Sequence, residues 1–274
     1  MREMLVAYAE GDFVSPPRAS MTVGSQRVLF GAGATADGDI GMRVSGPAAS
    51  ALQHLTVCWR ASGEIDAVIV GNEIGARRTG AVAAVAADVC APPGPVDVGI
   101  LGSGRNGWAQ IWALTGAREI TGLSVFSPTR EHREAFARRA RDELGLAARA
   151  AASAEEAVAG RDVVVLCTTS RSPVVESVWL RDGVHVNSIG AKTAVAHEVP
   201  EQLLARMTRV FSDAPSEIDS PVSALAGLPL IELASLLKTK DPGPRVDDVT
   251  LFLYSGLGGA DAYYAQTVAR LAPG

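Results

Sequence analysis

The stretch VDVGILGSGRNG, residues 96–107, decides the fold. Its first half is an apolar run typical of a short buried strand, and residues 102–107 form a complete G-x-G-x-x-G motif. In such a motif the first glycine allows a tight turn, the second lets the backbone approach a pyrophosphate, and the third lets helix and strand pack closely. The following helix would offer its free N–H groups to the phosphates. The stretch therefore predicts a dinucleotide site; the alternative is a glycine-rich turn in another kind of α/β domain.

The chain around this motif alternates between strand-like and helix-like segments. The run 162–167 is almost wholly apolar, as in strands buried on both faces. Ser153, followed three residues later by Glu156, forms a capping box that predicts a helix start. The alternation predicts an α/β fold with a Rossmann doubly wound parallel sheet. The predicted strands and helices are 96–101, 123–126, 162–167, 184–189 and 209–211, and 108–116, 130–144 and 154–159.

A different region precedes the motif. Short β-prone runs separated by glycine and polar turns are typical of an antiparallel sheet. Pro92, Pro93 and Pro95 cannot continue a helix, so we place a domain boundary at 91–95. We expect helices over 1–15 and 72–90, strands over 27–30, 42–44, 55–59 and 67–70, an irregular segment 214–245 with a helical patch at 230–237, a strand over 249–254 and a closing helix over 258–272.

Composition restricts the class of function. The 274 residues are 47% hydrophobic and 20% charged, and the net charge is −5. These values are typical of a globular protein and argue against a broad surface for nucleic acid or anionic membranes. Apolar runs are shorter than the ~18 residues of a membrane span, and the N-terminus has no signal-peptide pattern. The three sparse cysteines indicate reduced thiols and predict a cytoplasmic location; their spacing predicts no metal site.

The end of the second predicted strand bears on the choice of cofactor. NAD sites usually place Asp or Glu about 20 residues after the glycines, where it binds the ribose 2′-OH. This chain has Ser127-Pro128-Thr129-Arg130 instead. Because hydroxyls and an arginine suit a 2′-phosphate, we favour NADP(H) over NAD(H), with Ser127, Thr129 and Arg130 as ligands. The alternative is that Arg130 merely begins the next helix.

Polar residues also follow two later strands, at the edge where parallel sheets bind ligands. Each of them could instead be a helix cap or a loop hydrogen bond. Together with the glycine motif, the expected cofactor contacts are Gly102, Ser103, Gly104, Arg105, Asn106, Gly107, Cys167, Thr168, Thr169, Asn187, Ile189 and Gly190.

Several pieces of the chain match one known family. They are Pro17-Arg18, residues 41–44, 78–81, 98–107, 168–173, 183–190 and 255–261. On these pieces the chain resembles the ornithine cyclodeaminase/μ-crystallin family, which includes some alanine dehydrogenases and ketimine reductases. The resemblance implies a Rossmann domain over 92–245, a smaller α+β substrate-binding and dimerisation domain over 1–91 and 246–274, and a homodimer. It also implies cofactor contacts at Ser255 and Gly256.

The resemblance further implies substrate residues. Arg18 and Arg78 fall on two family positions that bind the substrate carboxylate, and guanidinium groups suit that anion. The family's lysine is replaced by Arg43, and its aspartate by Lys192. Arginine cannot shuttle protons near neutral pH. We therefore expect Arg18, Arg43 and Arg78 to bind substrate, and Lys192 to serve as general acid/base with Arg43 assisting catalysis. The alternatives are a surface turn for Arg18, a helix surface for Arg78, and a solvated loop for Lys192 in an inactive site.

These residues predict hydride chemistry at a carbon–nitrogen bond. The leading hypothesis is an NADP(H)-dependent imine or ketimine reductase, or an amino-acid dehydrogenase, acting on a small carboxylate-bearing amino or imino acid. Four cationic groups would favour a dicarboxylate or a keto-acid imine. One alternative is a lyase resembling ornithine cyclodeaminase, with recycled NAD and Asp213 as its acid. The other is a non-catalytic NADPH-dependent binder of a small ligand.

Overall fold

The computed structural model describes residues 1–46, 54–193, 195–218, 229–239, 245 and 247–271. The chain divides into two compact units. The first comprises Met1–Arg78, Leu237–Thr239 and Gly256–Gly274, and the second comprises Thr79–Leu236 and Lys240–Ser255. The boundaries therefore differ from the predicted 91–95 and 245/246.

The first boundary lies inside a continuous helix. Glu73–Cys90 is helical, and its residues divide their contacts between the units. The Arg78 side chain pairs with Asp261 of the first unit. Gly80 lies against the second unit, because a Cβ atom there would be 2.2 Å from the Ala109 carbonyl oxygen. The prolines follow the end of the helix, but the division between the two units lies earlier, between Arg78 and Thr79 within the helix.

The first unit is built on an antiparallel sheet, as predicted. Its sheet order is β1-β3-β4-β5-β6, with β2 paired to β3. The strand β2 was not predicted, because all five of its side chains are exposed and give no alternating pattern. The described elements are α1 (Arg2–Glu10), β1 (Phe13–Val14), β2 (Ala19–Val23), β3 (Gln26–Thr35), β4 (Ile40–Ser45), β5 (His54–Trp59), β6 (Ile65–Val70), the first part of α2 (Glu73–Cys90) and α8 (Ala260–Leu271).

Helix α8 and the loop before it pack on β3 and β4 at backbone distance. A Cβ atom at Gly31 would lie 2.6 Å from the Gly258 carbonyl oxygen. A Cβ atom at Gly41 would lie 2.4 Å from the Ala262 Cβ. Both distances are far shorter than van der Waals contact. The glycines of these strands are therefore needed for the close approach that brings Asp261, in the first turn of α8, within reach of β4.

The second unit is built on a parallel sheet in the order β15-β14-β16-β11-β10-β7-β8-β9. Every pairing within it that the structure describes is parallel. The chain passes outward from β7 to β9 and then returns to β10, so β7 and β10 flank the point where the strand order reverses. Its strands are β7 (Val96–Leu101), β8 (Ile120–Phe126), β9 (Ala148–Ala150), β10 (Val163–Leu166), β11 (His185–Ser188), β14 (Arg209–Ser212), β15 (Leu230–Glu232) and β16 (Thr250–Leu253), beside the separate antiparallel pair β12 (Lys192–Thr193) and β13 (Ala196–His197).

Strand β10 shows that this sheet is covered on both faces. Val163 and Val165 belong to one apolar cluster, and Val164 and Leu166 belong to another. All four side chains are at most 1% exposed. This confirms the prediction from the apolar run.

The helices agree with the sequence except at particular ends. The helix expected over 1–15 ends at Glu10, before Gly11 in the left-handed region, and Phe13–Val14 pairs as strand β1. The predicted cap is present: Ser153 Oγ accepts a hydrogen bond from the Glu156 N–H at 3.1 Å. The Glu156 carboxylate reaches back one residue beyond the N-cap and accepts from the Ala152 N–H at 2.7 Å. The predicted start at Trp108 was wrong, since helix begins at Arg105. The helices are α3 (Arg105–Thr115), α4 (Arg130–Leu144), α5 (Ala154–Val158), α6 (Glu201–Leu204) and α7 (Leu233–Lys238), with 3-10 turns at Ser177–Trp179 and Pro215–Glu217.

The C-terminal part of the second unit departs most from prediction. The helical patch expected over 230–237 begins as strand β15, because Leu230 and the two residues after it pair with β14. Residues 219–228 and 240–244 of the segment expected to be irregular lie outside the described residues. Within the described ranges, a helix of the length and apolarity needed to cross a bilayer is not found.

A buried histidine joins two central strands. His185 Nδ1 lies 2.8 Å from Thr250 Oγ1, and its Nε2 lies 2.9 Å from Asn187 Oδ1. The Asn187 amide in turn donates to the Ala83 carbonyl oxygen, and Thr250 Oγ1 lies 3.0 Å from the Cys90 carbonyl oxygen, both on α2. Burial lowers the pKa of His185 to about 4, although the hydrogen bond to Asn187 partly opposes this shift.

This shift predicts a pH-dependent stability. The folded pKa lies below the unfolded value of about 6.5, so His185 destabilises the fold as the pH falls from 6.5 towards 4, and the cost near pH 4 is about 3 kcal/mol. The variant His185→Gln should show a correspondingly smaller loss of unfolding free energy between pH 7 and pH 4.5 in urea titrations. The exposed His132→Gln should keep the wild-type dependence. An unchanged dependence in His185→Gln would contradict the assignment.

Candidate nucleotide and anion sites

The three glycines of the motif are required for different reasons. Gly102 has φ +115°, and a Cβ atom there would lie 2.2 Å from the Cys167 carbonyl oxygen. A Cβ atom at Gly107 would lie 2.5 Å from the Gly102 carbonyl oxygen. Around Gly104, in contrast, a Cβ atom would meet nothing within 4 Å. The fold explains the first and third glycines, whereas the second leaves an open approach to the backbone.

The loop ends on an uncapped helix. Gly104 is the N-cap of α3, and no side chain forms a capping hydrogen bond there. The first bond of the helix runs from the Trp108 N–H to the Gly104 carbonyl oxygen at 3.0 Å. Arg105 and Asn106, in the first turn, are exposed. The N–H groups of this turn and the positive end of the helix dipole suit a phosphate.

Two cavities meet beside this loop, at the carboxyl ends of the strands. The larger, about 490 Å³, is lined by Leu101, Gly102, Ser103, Gly104, Phe126, Ser127, Pro128, Ala154, Cys167, Thr168, Thr169, Ser170 and Val174. The smaller, about 190 Å³, is lined by Gly104, Arg105, Asn106, Cys167, Thr168, Thr169, Ile189 and Gly190. They share Gly104 and the segment 167–169, so together they run from the end of β8 past the glycine loop to the end of β11. That is the path of a dinucleotide at a switch point.

The exit of β8 differs in detail from the prediction. Ser103 Oγ donates to Ser127 Oγ at 2.8 Å, so these hydroxyls tie the glycine loop to the strand end. Arg130 is 74% exposed and pairs with Glu134 at 2.6 Å. Sequence reasoning missed Arg133, whose guanidinium donates to the Ser127 carbonyl oxygen at 2.8 Å and lies over the Phe126 ring. The acidic residue typical of NAD sites is absent from the described lining of the larger cavity.

Glu198 is a functional candidate that the sequence reasoning missed. It is fully buried. Its Oε1 accepts hydrogen bonds from the Thr168 N–H at 2.7 Å and from Thr168 Oγ1 at 2.6 Å, and its Oε2 accepts one from the Gly190 N–H at 2.7 Å. Thr168 and Gly190 were expected to contact the cofactor. Their N–H and hydroxyl donors are bound to Glu198, while Thr168 lines both cavities and Gly190 lines the smaller one, so their contact with the cofactor stays a prediction.

Cys167 lies in the lining of both cavities. Burial raises the pKa of its thiol to about 12, and the nearby Glu198 carboxylate adds to the rise. The thiol is therefore protonated at neutral pH and acts as an apolar wall.

Other predicted residues are held by the protein itself. Lys192 Nζ donates to the Gly190 carbonyl oxygen at 2.7 Å. The Asn187 side chain is turned towards α2, where it bonds Ala83, and it is absent from the lining of both cavities. Ser255 donates through its N–H and its hydroxyl to the buried Asp213 carboxylate, at 2.8 and 3.2 Å. Gly256 has φ +91° and begins the segment that returns to the first unit.

In the first unit, the predicted substrate arginines surround the start of α8. Arg43 Nη1 donates to Asp261 Oδ1 at 2.7 Å. Arg78 makes a bidentate pair with the same carboxylate, Nε to Oδ1 at 2.8 Å and Nη2 to Oδ2 at 2.9 Å. The Arg18 stem packs nearby, since its Cγ would lie 3.2 Å from a Cβ atom on Gly258.

Asp261 changes the charge expected of this cluster. Burial by itself would raise the pKa of Asp261, but the facing Arg78 and Arg43 guanidinium groups hold it below its usual value. Its carboxylate offsets one of the two arginine charges. The expectation of a purely cationic cluster was therefore wrong. The signal was in the segment 255–261, which carries this aspartate. No group of acidic, histidine or cysteine side chains suited to a metal ion occurs among the described residues.

Comparison with known proteins identifies relatives. The model of the ornithine cyclodeaminase/mu-crystallin family matches residues 3–271. The ketimine reductase mu-crystallin of Mus musculus is 27% identical over 209 residues, which are 76% of this chain and 65% of that protein. The chain thus spans slightly less than two thirds of the mouse relative's length.

A bacterial relative is similar in sequence and in structure. The iminosuccinate reductase of Paracoccus denitrificans is 30% identical over 224 residues, 77% of this chain and 68% of that protein. Its structure in complex with NAD+ aligns with a TM-score of 0.87 at 26% identity, covering 99% of this chain and 89% of that one. The Thermococcus litoralis Delta(1)-pyrroline-2-carboxylate reductase, in complex with NADH and L-proline, has the same fold, with a TM-score of 0.86 at 23% identity and coverage of 98% and 90%.

The Asp261 cluster predicts a large stability effect. Asp261→Asn leaves two buried guanidinium groups facing a neutral side chain, so the unfolding free energy should fall by about 3–5 kcal/mol in urea titrations at pH 7. Asp39→Asn, which removes the partner of the exposed Arg270, is the matched control and should change little. Equal effects of the two variants would contradict the role given to Asp261.

Proposed function

Because the chain belongs to the ornithine cyclodeaminase/mu-crystallin family, we propose that it is a nicotinamide-dependent oxidoreductase acting on a carbon–nitrogen bond. Its substrate is an imine or ketimine that carries a carboxylate, or the corresponding amino acid in the reverse direction. Two of the proteins compared above are named ketimine reductase and iminosuccinate reductase.

One observation carries the proposal. The second glycine of the motif has open space where a side chain would stand, beside an uncapped helix and above two joined cavities. The packing of the protein does not require that glycine, but a pyrophosphate lying against the backbone does. The residues present therefore fit a dinucleotide.

Each part of the chain contributes a distinct task. The bound nicotinamide cofactor supplies the hydride. The N–H groups at the start of α3 bind the pyrophosphate, and Cys167, Thr169 and Ile189 form walls of the cavities. Arg43 and Arg78, prepositioned by Asp261, bind the substrate carboxylate. Lys192 donates the proton that the substrate nitrogen gains. Among the described residues it is the only lysine whose amine lies near the carboxyl ends of the parallel strands, at the loop after β11.

We further propose a preference for NADPH. The described lining at the exit of β8 offers hydroxyls and lacks a carboxylate that would repel a 2′-phosphate. The ion pair of Arg130 with Glu134 is exposed and therefore weak, so a phosphate can take the place of Glu134.

The lyase alternative finds less support. Its proposed acid, Asp213, is fully buried and accepts two hydrogen bonds from Ser255. The carboxylate thus fixes the ends of β14 and β16. Homodimer formation and a cytoplasmic location stay predictions. The apolar side chains of Ile65, Val68 and Val70 on β6, each more than half exposed, favour the formation of a homodimer.

Fluorescence titration tests the cofactor assignment. NADPH should bind at least about tenfold more tightly than NADH, since Arg130 adds a charge-assisted contact to the 2′-phosphate. Arg130→Asp should abolish or reverse that preference. Arg60→Asp, which breaks an exposed pair with Asp66 in the first unit, is the control and should retain it. Equal affinities in the wild type would overturn the NADPH preference, and binding of neither nucleotide would overturn the proposed function.

Turnover tests the catalytic assignment. NAD(P)H oxidation should be observed with iminosuccinate or pyrroline-2-carboxylate but not with pyrroline, which lacks the carboxylate. Lys192→Met should lower kcat by about 100-fold or more while the nucleotide still binds, because a general acid contributes a factor of that order. Lys238→Met, at an exposed lysine that bonds the Ala9 carbonyl, is the control. Full activity of Lys192→Met would assign the acid elsewhere, and no turnover with any substrate of the panel would favour the non-catalytic binder.

A further inference from the structure

The loops that follow β10 and β11 are joined by one buried carboxylate. Glu198 accepts two hydrogen bonds from Thr168 through Oε1 and one from Gly190 through Oε2. We refer to Glu198, Thr168 and Gly190 as the Glu198 bridge. Its partners lie 30 and 8 residues away in sequence, directly after two neighbouring strands.

The position of Glu198 is fixed by its own backbone. It follows the strand β13, its N–H donates to the Ala191 carbonyl oxygen at 3.2 Å, and its carbonyl oxygen accepts from the Val174 N–H at 3.0 Å. The carboxylate also fills the place of a side chain at residue 190, because a Cβ atom on Gly190 would lie 2.4 Å from the Glu198 Cδ. Glycine at 190 and glutamate at 198 therefore depend on each other.

The chemistry of the bridge requires a carboxylate. Three donors converge on the two oxygens of Glu198. A glutamine would offer one acceptor oxygen and an NH2 group that only donates, so at least one donor would face another donor. The substitution would release either the Thr168 loop or the Gly190 loop.

Both loops border the smaller of the two cavities. Thr168 lines both cavities, whereas Gly190 lines only the smaller one, which is the end away from β8. In the proposed function, the adenosine lies near the exit of β8, and the nicotinamide lies at the opposite end. Resting on that function, we propose that Glu198 is a positioning residue which sets the walls of the nicotinamide pocket without contacting the adenosine half.

Calorimetric titration with two ligands tests this inference. The probes are the nicotinamide dinucleotide that the wild type prefers and the matching ADP-ribose (2′-phosphorylated for NADPH), which lacks only the nicotinamide. Glu198→Gln should raise the Kd for the dinucleotide by about tenfold or more, while the Kd for the ADP-ribose should change by less than about threefold. A merely structural role would not separate the two ligands.

Asp162→Asn is the matched control. Asp162 accepts a hydrogen bond from the Asp97 N–H at 2.8 Å and pairs with Arg181, at the amino end of β10 and thus the opposite edge of the same sheet. It should lower stability without changing the ratio of the two affinities. If Glu198→Gln does not fold, Thr168→Val removes a single donor and should show a smaller effect of the same selectivity.

Three results would overturn the inference. If the variant binds both ligands with equally reduced affinity, Glu198 supports the fold in general and does not position the nicotinamide pocket. If neither affinity falls, Glu198 has no role in positioning. Binding of neither ligand to the wild-type protein would instead overturn the proposed function, and this inference with it.

Discussion

The backbone contact between Gly102 and Cys167 is the constraint on which the second unit depends. A side chain at 102 would stand 2.2 Å from the Cys167 carbonyl oxygen. The loops after β7 and β10 therefore meet directly, on either side of the point where the strand order reverses. At this contact the chain leaves β7 with Gly102 at φ +115°, α3 starts at Arg105, and two cavities border the loop. Glu198 extends the same edge by joining the loop after β10 to that after β11.

The first unit has an equivalent constraint of a different kind. Glycines on β3 and β4 let α8 and its preceding loop approach at backbone distance, which brings a carboxylate to two guanidinium groups. Two arginines alone would repel each other in a buried place. With Asp261 between them, they keep one positive charge and a fixed geometry, which is what recognition of a single carboxylate needs.

Sequence patterns predicted the features that depend on residues close together in the chain. The bounds of β7 and α4, the burial of β10 and the helix cap at Ser153 follow from local periodicity and side-chain chemistry, and the structure shows each of them. The contacts that were missed join residues far apart. Glu198 bonds mainly to backbone N–H groups, which have no sequence signature, and Asp261 meets Arg78 across 183 positions. The start of β15 was mistaken for helix because a short apolar run suits either, and only its pairing with β14 decides.

The Cys167 thiol gives the cavity a chemical property of its own. Oxidants and electrophiles react with the thiolate rather than the thiol, and a cysteine with a pKa of about 12 holds almost none of it at neutral pH. The same burial and the same Glu198 carboxylate thus keep the sulfur in its neutral thiol form. The wall that Cys167 contributes to both cavities is therefore uncharged at neutral pH, and it does not repel an anion at the neighbouring start of α3.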